Sequence, residues 1–326
     1  MVMLYHLGNR TGLRPLTEWG YLGVGIFFVI SGFVIASTLL ETHISPGTIG
    51  RFFARRFVRL DIPYWANIAV TVALGITVYR LGGQSHNYTL GQIATHLVYM
   101  QGILGVQPIN QVYWTLCLEV QFYVFLVLVL WAVQSLRLSW SAFHTALILS
   151  VVISILCNAK LLPSPRGSML PYWWAFALGA TVCWWRAKKI STARLAVTLA
   201  ATSVLPFLNG EAWRITAAAT GAVLVFAIYL GAESRWLSGA LAQFLGRISY
   251  SLYLYHALIG WEAQTFALRY VGPYAALAFG ITVSILMARL TYVLIERPAV
   301  KLSHRINAES NSQAMETRNM PSHSAA

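Results

Sequence analysis

The sequence predicts an all-α, polytopic integral membrane protein of about ten transmembrane helices, with the first one truncated in this chain. Three observations carry that prediction. Hydrophobic residues make up 57% of the 326 positions and charged residues only 10%, against about 25% charge in soluble domains. Mean hydropathy is +0.62. Apolar runs near bilayer length recur along the chain, and a spanning helix needs about 20 such residues.

The elements follow in order. Residues 1–7 are apolar but too short to span, so the chain is read as beginning partway through a helix. Helices are expected at about 20–40, 63–80, 112–135, 140–158, 170–187, 193–209, 213–231, 244–266 and 273–296. Residues 89–104 are apolar but interrupted by Gln92, His96 and Gln101, and read as an interfacial or re-entrant helix. Together, 1–306 form one membrane domain, and the polar stretch 307–326 reads as a disordered cytoplasmic tail. Trp (12) and Tyr (16) are numerous enough to form aromatic belts at both interfaces.

Charge sets the orientation. Alternate loops at 41–62, 136–139, 186–194 and 232–247, with the C-terminal tail, hold 15 Lys and Arg residues, while the opposite set holds 7. The richer set is cytoplasmic by the positive-inside rule. The same bias, with anionic lipid, accounts for the net charge of +13 and removes any need for a nucleic-acid partner. Cys117, Cys157 and Cys183 fit neither a disulfide framework nor a zinc site and read as small core residues. No metal-ligand spacing stands out. His86, His96 and His144 read as interfacial.

Two polar groups break the apolar pattern. Glu119 lies inside Tyr113-Trp114-Thr115-Leu116-Cys117-Leu118-Glu119-Val120-Gln121-Phe122-Tyr123, and His6 lies in the opening apolar stretch. A carboxylate at the centre of a span costs about 2.5–3.5 kcal/mol on insertion scales, so it marks either a working site or a compensated ion pair. Arg80 or another basic group is the candidate partner for the second case. Tyr123 is one turn beyond Glu119 and shares its face, while Gln121 points elsewhere. Arg51, Arg55, Arg56 and Arg59 precede Pro63, and positions 51, 55 and 59 would form one stripe on a helix. Guanidinium groups bind phosphate bidentately, but a basic cytoplasmic loop is also ordinary.

Several blocks resemble the acyltransferase-3 family of membrane proteins. They are Leu4-Tyr5-His6, the run from Gly25 through Ser31-Gly32-Phe33, Arg55 to Trp65, Trp114 to Tyr123, Ile248 to His256, and Ile295-Glu296-Arg297-Pro298. They run in the family's order over about 1–303. The resemblance implies transfer of an acyl group, with acetyl as the expected case, from cytoplasmic acyl-CoA to a hydroxyl of a surface glycan or similar acceptor. It implies a multi-pass protein of the bacterial cytoplasmic (inner) membrane, with acyl-CoA as donor substrate and no permanently bound cofactor.

Residue roles follow from that resemblance. His6 matches the family's first-helix histidine and is the expected general base, since a group of pKa near 7 suits proton removal from a hydroxyl. The family's pattern places an arginine about eleven residues earlier, ahead of Met1 here. Glu119 is expected either to orient His6 or to bind the acceptor hydroxyl, both groups lying toward the outer ends of their helices. Arg51, Arg55, Arg56 and Arg59 are expected to clamp the CoA phosphates. Tyr123, Trp114, Ser31, Tyr250 and His256 are candidate substrate contacts. For Ser31 beside Gly32, close helix packing competes with that role. For Tyr250 and His256, lining the acyl path competes with plain backbone bonding. Two alternatives stand beside the enzyme: a non-enzymatic transporter or flippase of a lipid-linked sugar, and an inactive family member lacking the start of helix 1. Against the transporter, neither an internal repeat nor a matched pair of broken helices is visible.

Overall fold

The computed structural model describes residues 1–8, 13–40, 44–80, 88–207, 211–231 and 238–306, without the side chains of 16 and 78–80. The predicted tail 307–326, His86 and the Arg80 side chain therefore lie outside the described residues. Most of the described residues are helical, with no strand among them. The helices are α1 (Val2–Gly8), α2 (Arg14–Thr17), α3 (Gly23–Leu39), α4 (Pro46–Arg56), α5 (Ile62–Arg80), α6 (Leu90–Leu97) and α7 (Trp114–Ser135). They continue as α8 (Trp140–Asn158), α9 (Trp173–Arg186), α10 (Thr192–Ser203), α11 (Ala212–Tyr229), α12 (Ala240–Tyr255), α13 (Trp261–Ala267) and α14 (Pro273–Thr291).

Six described helical stretches are long and apolar enough to cross a bilayer. The apolar runs had suggested ten. The difference lies in short helices such as α9, whose 14 residues give about 21 Å of rise. Every residue of α9 from Trp173 to Trp184 is buried. A helix apolar on all sides belongs inside a bundle, and α9 is the axis on which α3, α8, α10 and α11 pack.

Glycine sets the closest crossing. A Cβ on Gly32 of α3 would run into the Phe176 backbone, and one on Gly179 of α9 would run into the Val29 carbonyl. Packing in lipid depends on such close backbone approach. Gly246 of α12 faces open space. Gly179→Ala should therefore destabilise the protein by about 1–3 kcal/mol through overpacking. Gly246→Ala should stabilise it by up to about 1 kcal/mol through helix propensity. Opposite shifts in thermal unfolding of the detergent-purified chain check the pair.

Two helices run past the ends that the sequence suggested. Residues 41–62 read as a loop, yet Ser45 and Thr48 form a capping box that starts α4. The helix then runs through a π-turn, Phe57–Asp61, into α5, so that Pro46–Thr77 is one spanning stretch. The last helix was expected to stop at 296. It passes through a second π-turn, Tyr292–Glu296, and stays helical to Ile306. The same device serves both. Pro63 and Pro298 each stand two residues beyond a π-turn. A proline inside a helix leaves one carbonyl unbonded and crowds the preceding turn, and a π-turn supplies the slack. Each π-turn also ends on an acid held by a neighbour's hydroxyl. Tyr99 donates to Asp61 at 2.7 Å and Ser251 donates to Glu296 at 2.6 Å.

Candidate functional site

Glu119 sits in the second turn of α7, whose entry is capped by the Asn110 side chain accepting from the Val112 N–H. Its carboxylate lines a cavity of about 450 Å³ among Arg56, Leu60, Asp61, Tyr99, Tyr123 and Tyr250. Ser31 of α3 donates to Glu119 Oε1 at 3.3 Å. The buried Tyr123 hydroxyl lies beside the same carboxylate but outside hydrogen-bond geometry. Arg56 and Arg59 act on Glu119 electrostatically, though neither comes within ion-pair distance. The Arg56 guanidinium instead sits over the Tyr123 ring, 4.9 Å from its centroid. Arg56 and Glu119 thus share the cavity without forming an ion pair.

The arginines divide. Arg56 faces the cavity although it lies off the 51/55/59 stripe. The π-turn after Arg56 resets the helical register, so Arg59 is not simply one turn beyond Arg55. Arg51 and Arg59 are exposed, and Arg55 is half-buried with its Nε unpaired. All four lie on the spanning stretch Pro46–Thr77 and not in a loop.

His6 is elsewhere. No hydrogen bond or ion pair joins it to Glu119. Its ring lies 5.3 Å from that of His256, which occupies a third π-turn, His256–Gly260. His256 is buried, its Nδ1 is 3.0 Å from the Leu252 carbonyl, and its Nε2 has no partner. Of the two roles foreseen for His256, the backbone contact is present, and His256 does not line the Glu119 cavity. The Tyr253 ring lies 5.8 Å from His256, and its hydroxyl is 2.6 Å from Thr115 Oγ1. Thr115 stands one turn before Glu119 on α7. Tyr250, Tyr253 and His256 thus form a ladder from the Glu119 cavity to His6. Tyr250 lines that cavity and donates to the Leu60 carbonyl at 2.8 Å. Trp114 does not line it; it packs against Tyr172 at 5.5 Å and borders a second cavity.

Sequence reasoning passed over Asp61. It lines the Glu119 cavity and takes the Tyr99 hydroxyl. Its signal was the spacing acid–x–Pro, shared with Glu296.

Two histidines read as interfacial are buried. His144 packs against Thr198, with 3.4 Å between Nε2 and Oγ1. His96 accepts the Ile109 N–H at Nε2 (3.0 Å), so its Nδ1 carries the proton and donates to Gln92 O at 2.7 Å. It pins the segment that leads into α7. Burial lowers the His96 pKa below 6.5. A histidine held neutral in the fold adds stability that is full above the unfolded pKa. That stability is lost as pH falls through the lower, folded value. Thermal stability should therefore decline as pH falls below 6.5, and His96→Gln should flatten that part of the profile. Unfolding midpoints from pH 5 to 8 check this.

The three cysteines are buried and free. Among the described residues, no group of three or more His, Cys, Asp or Glu is placed to hold a metal ion.

Comparison with known proteins supplies the family. The acyltransferase domain model matches residues 1–293. The putative membrane-bound transacylase BcsY of Komagataeibacter xylinus is 26% identical, over 94% of this chain and 81% of its own length. Nodulation protein 10 of Rhizobium leguminosarum bv. viciae is 28% identical, over 86% and 82%. The exopolysaccharide production protein ExoZ of Rhizobium meliloti (strain 1021) is 25% identical, over 92% and 95%. No solved structure matches. With six spans among the described residues, a cavity holding the buried-helix acid Glu119 and a family model over nearly its whole length, the chain belongs to the acyltransferase domain family and is a multi-pass membrane acyltransferase.

Proposed function

We propose that the chain moves an acyl group, acetyl as the expected case, from cytoplasmic acyl-CoA to a carbohydrate hydroxyl at the bacterial inner membrane. One observation carries this reading. The Glu119 cavity has largely apolar walls with Arg56 among them, on the helix that also carries Arg51, Arg55 and Arg59. Arginines suit the nucleotide phosphates, and an apolar cavity suits the pantetheine arm. Relatives named for exopolysaccharide production and membrane-bound transacylation support the carbohydrate acceptor.

In this reading His6 takes the proton of the acceptor hydroxyl as its oxygen attacks the thioester carbonyl. The C–O bond forms, the C–S bond breaks, and CoA leaves as a thiolate that takes up a proton. Glu119 is a positioning residue, because it takes the Ser31 hydroxyl and shares its cavity with Arg56, while no contact joins it to His6.

The test uses membranes expressing the full chain and acetyl-CoA labelled in its acetyl group. Label entering the glycan fraction above empty membranes supports the reading. Label confined to free acetate, with acceptor glycan present, refutes it.

A further inference from the structure

The Glu119 cavity holds a second acid, Asp61, which the acyl-transfer scheme leaves without a role. Asp61 closes the π-turn Phe57–Asp61, inside the spanning stretch Pro46–Thr77. It follows Arg56 by five residues, about 7 Å of rise along the helix. An ionisable side chain inside a span is costly, and its retention marks a functional group with a partner to be named.

The protein supplies half of that partner. Oδ1 of Asp61 accepts the Tyr99 hydroxyl at 2.7 Å. Tyr99 is held in turn: its backbone takes φ 58°, and its ring stacks on Tyr64 with 4.6 Å between centroids and 14° between planes. Oδ2 takes no hydrogen bond among the described residues. No cation among them stands within ion-pair distance of Asp61. Oδ2 is nevertheless open to contact. The buried polar atoms without a partner include the Tyr123 hydroxyl but neither Asp61 oxygen, so Oδ2 faces the cavity that Asp61 lines.

The surroundings set the chemistry of what Oδ2 takes. A cationic ligand would meet the Arg56 guanidinium in the same cavity, so the group is a neutral N–H or O–H. The acceptor hydroxyl belongs with His6, behind Tyr253 and His256. The donor supplies the other kind. In acyl-CoA the nucleotide phosphates come first, then an arm with one hydroxyl and two amide N–H groups, then the thioester. From the cytoplasmic end outward, the helix carries the matching order: Arg51, Arg55 and Arg56, then Asp61. An N–H bound to a carboxylate is about twice as strong as its neutral counterpart. We propose that Asp61 is a donor-binding residue, its free oxygen accepting an amide N–H of the pantetheine arm. The bond sets how far the arm enters the cavity. This role rests on the acyl-CoA reading above.

The experiment is calorimetric titration of the full chain in detergent with CoA and with adenosine 3′,5′-bisphosphate, which has nucleotide phosphates but no arm. Asp61→Asn keeps an oxygen for the Tyr99 hydroxyl and puts an NH₂ where the free acceptor stood. It should weaken CoA binding by about ten- to a hundredfold, the worth of one hydrogen bond to a charged group. Binding of adenosine 3′,5′-bisphosphate should stay as in wild type. In membranes, the same variant should raise KM for acetyl-CoA by a similar factor and leave KM for the acceptor glycan unmoved. Equal CoA affinity in wild type and variant overturns the role. So does an equal loss for both ligands, which a merely structural aspartate would give, or a shift in acceptor KM alone. Each of these leaves the acyl-CoA reading standing. Wild type that binds no CoA overturns that reading itself, and the role of Asp61 with it.

Discussion

Alanine in place of His6 is expected to lower acyl transfer by about 10²–10⁴-fold, the usual worth of a general base. The surroundings of His6 give that expectation its detail. His256 has one nitrogen directed at the Leu252 carbonyl, so Nδ1 is the proton-bearing atom and Nε2 is left as an acceptor. That acceptor is buried, unpartnered and in a ring 5.3 Å from His6. When His6 takes a proton it becomes a double donor, and a neutral acceptor beside it is the group that can orient the imidazolium. His256→Phe should keep the packing, remove the acceptor and lower transfer less than His6→Ala, by roughly tenfold for one lost hydrogen bond. Labelled acetyl transfer under single-turnover conditions separates the two. Equal loss in both variants would make the histidine pair, and not His6, the unit of base catalysis. Unchanged transfer in His6→Ala would remove the base assignment altogether.

Much of the architecture was legible because it depends on hydrophobic runs. The cores of α3, α5, α7, α8, α11 and α14 fall inside the apolar stretches marked from sequence, since a bilayer leaves a long apolar run few other places to go. The joins were not legible. Pro63 and Pro298 read as helix boundaries by the ordinary rule for proline, and the π-turns ahead of them were invisible to a 3.6-residue period. That one misreading placed Arg51–Arg59 in a loop and put Arg56 off the chosen stripe, although Arg56 is the arginine in the Glu119 cavity. The site residues were legible as chemistry and not as partners. Sequence marked Glu119, His6, Ser31 and His256 because polar groups are rare in apolar helices. It paired Glu119 with His6 by depth alone. The fold bonds Glu119 to Ser31 in a cavity shared with Arg56, and sets His6 beside His256. Depth fixes one coordinate of a helix position; the rotation that chooses a neighbour comes from packing, here from the glycine contacts that draw α3 onto α9.

Glu119→Gln should cost about 10²–10³-fold in transfer, and the cause can be isolated. Glutamine keeps the shape and can still accept the Ser31 hydroxyl, so the change removes chiefly charge. Without that charge Arg56 keeps only the faces of Tyr123 and Phe52, at 4.9 and 5.7 Å. A positive charge left in a poorly solvated cavity without a neighbouring acid is costly, and Arg56 would shift to relieve it. If Glu119 works by holding Arg56, Arg56→Gln alone should show a similar loss. The double variant should then be no worse than either single one, because the second change removes an arginine that is already misplaced. If Glu119 instead binds the acceptor hydroxyl directly, the two losses should multiply. The Michaelis constants add a second axis. A donor-side pair should raise KM for acyl-CoA, whereas an acceptor contact should leave it unchanged and lower the rate at saturating donor. The positioning role fails if the double variant shows the product of the single losses with KM for acyl-CoA unmoved. The fold favours the other outcome, because Glu119 shares its cavity with Arg56, while Tyr253 and His256 stand between it and His6.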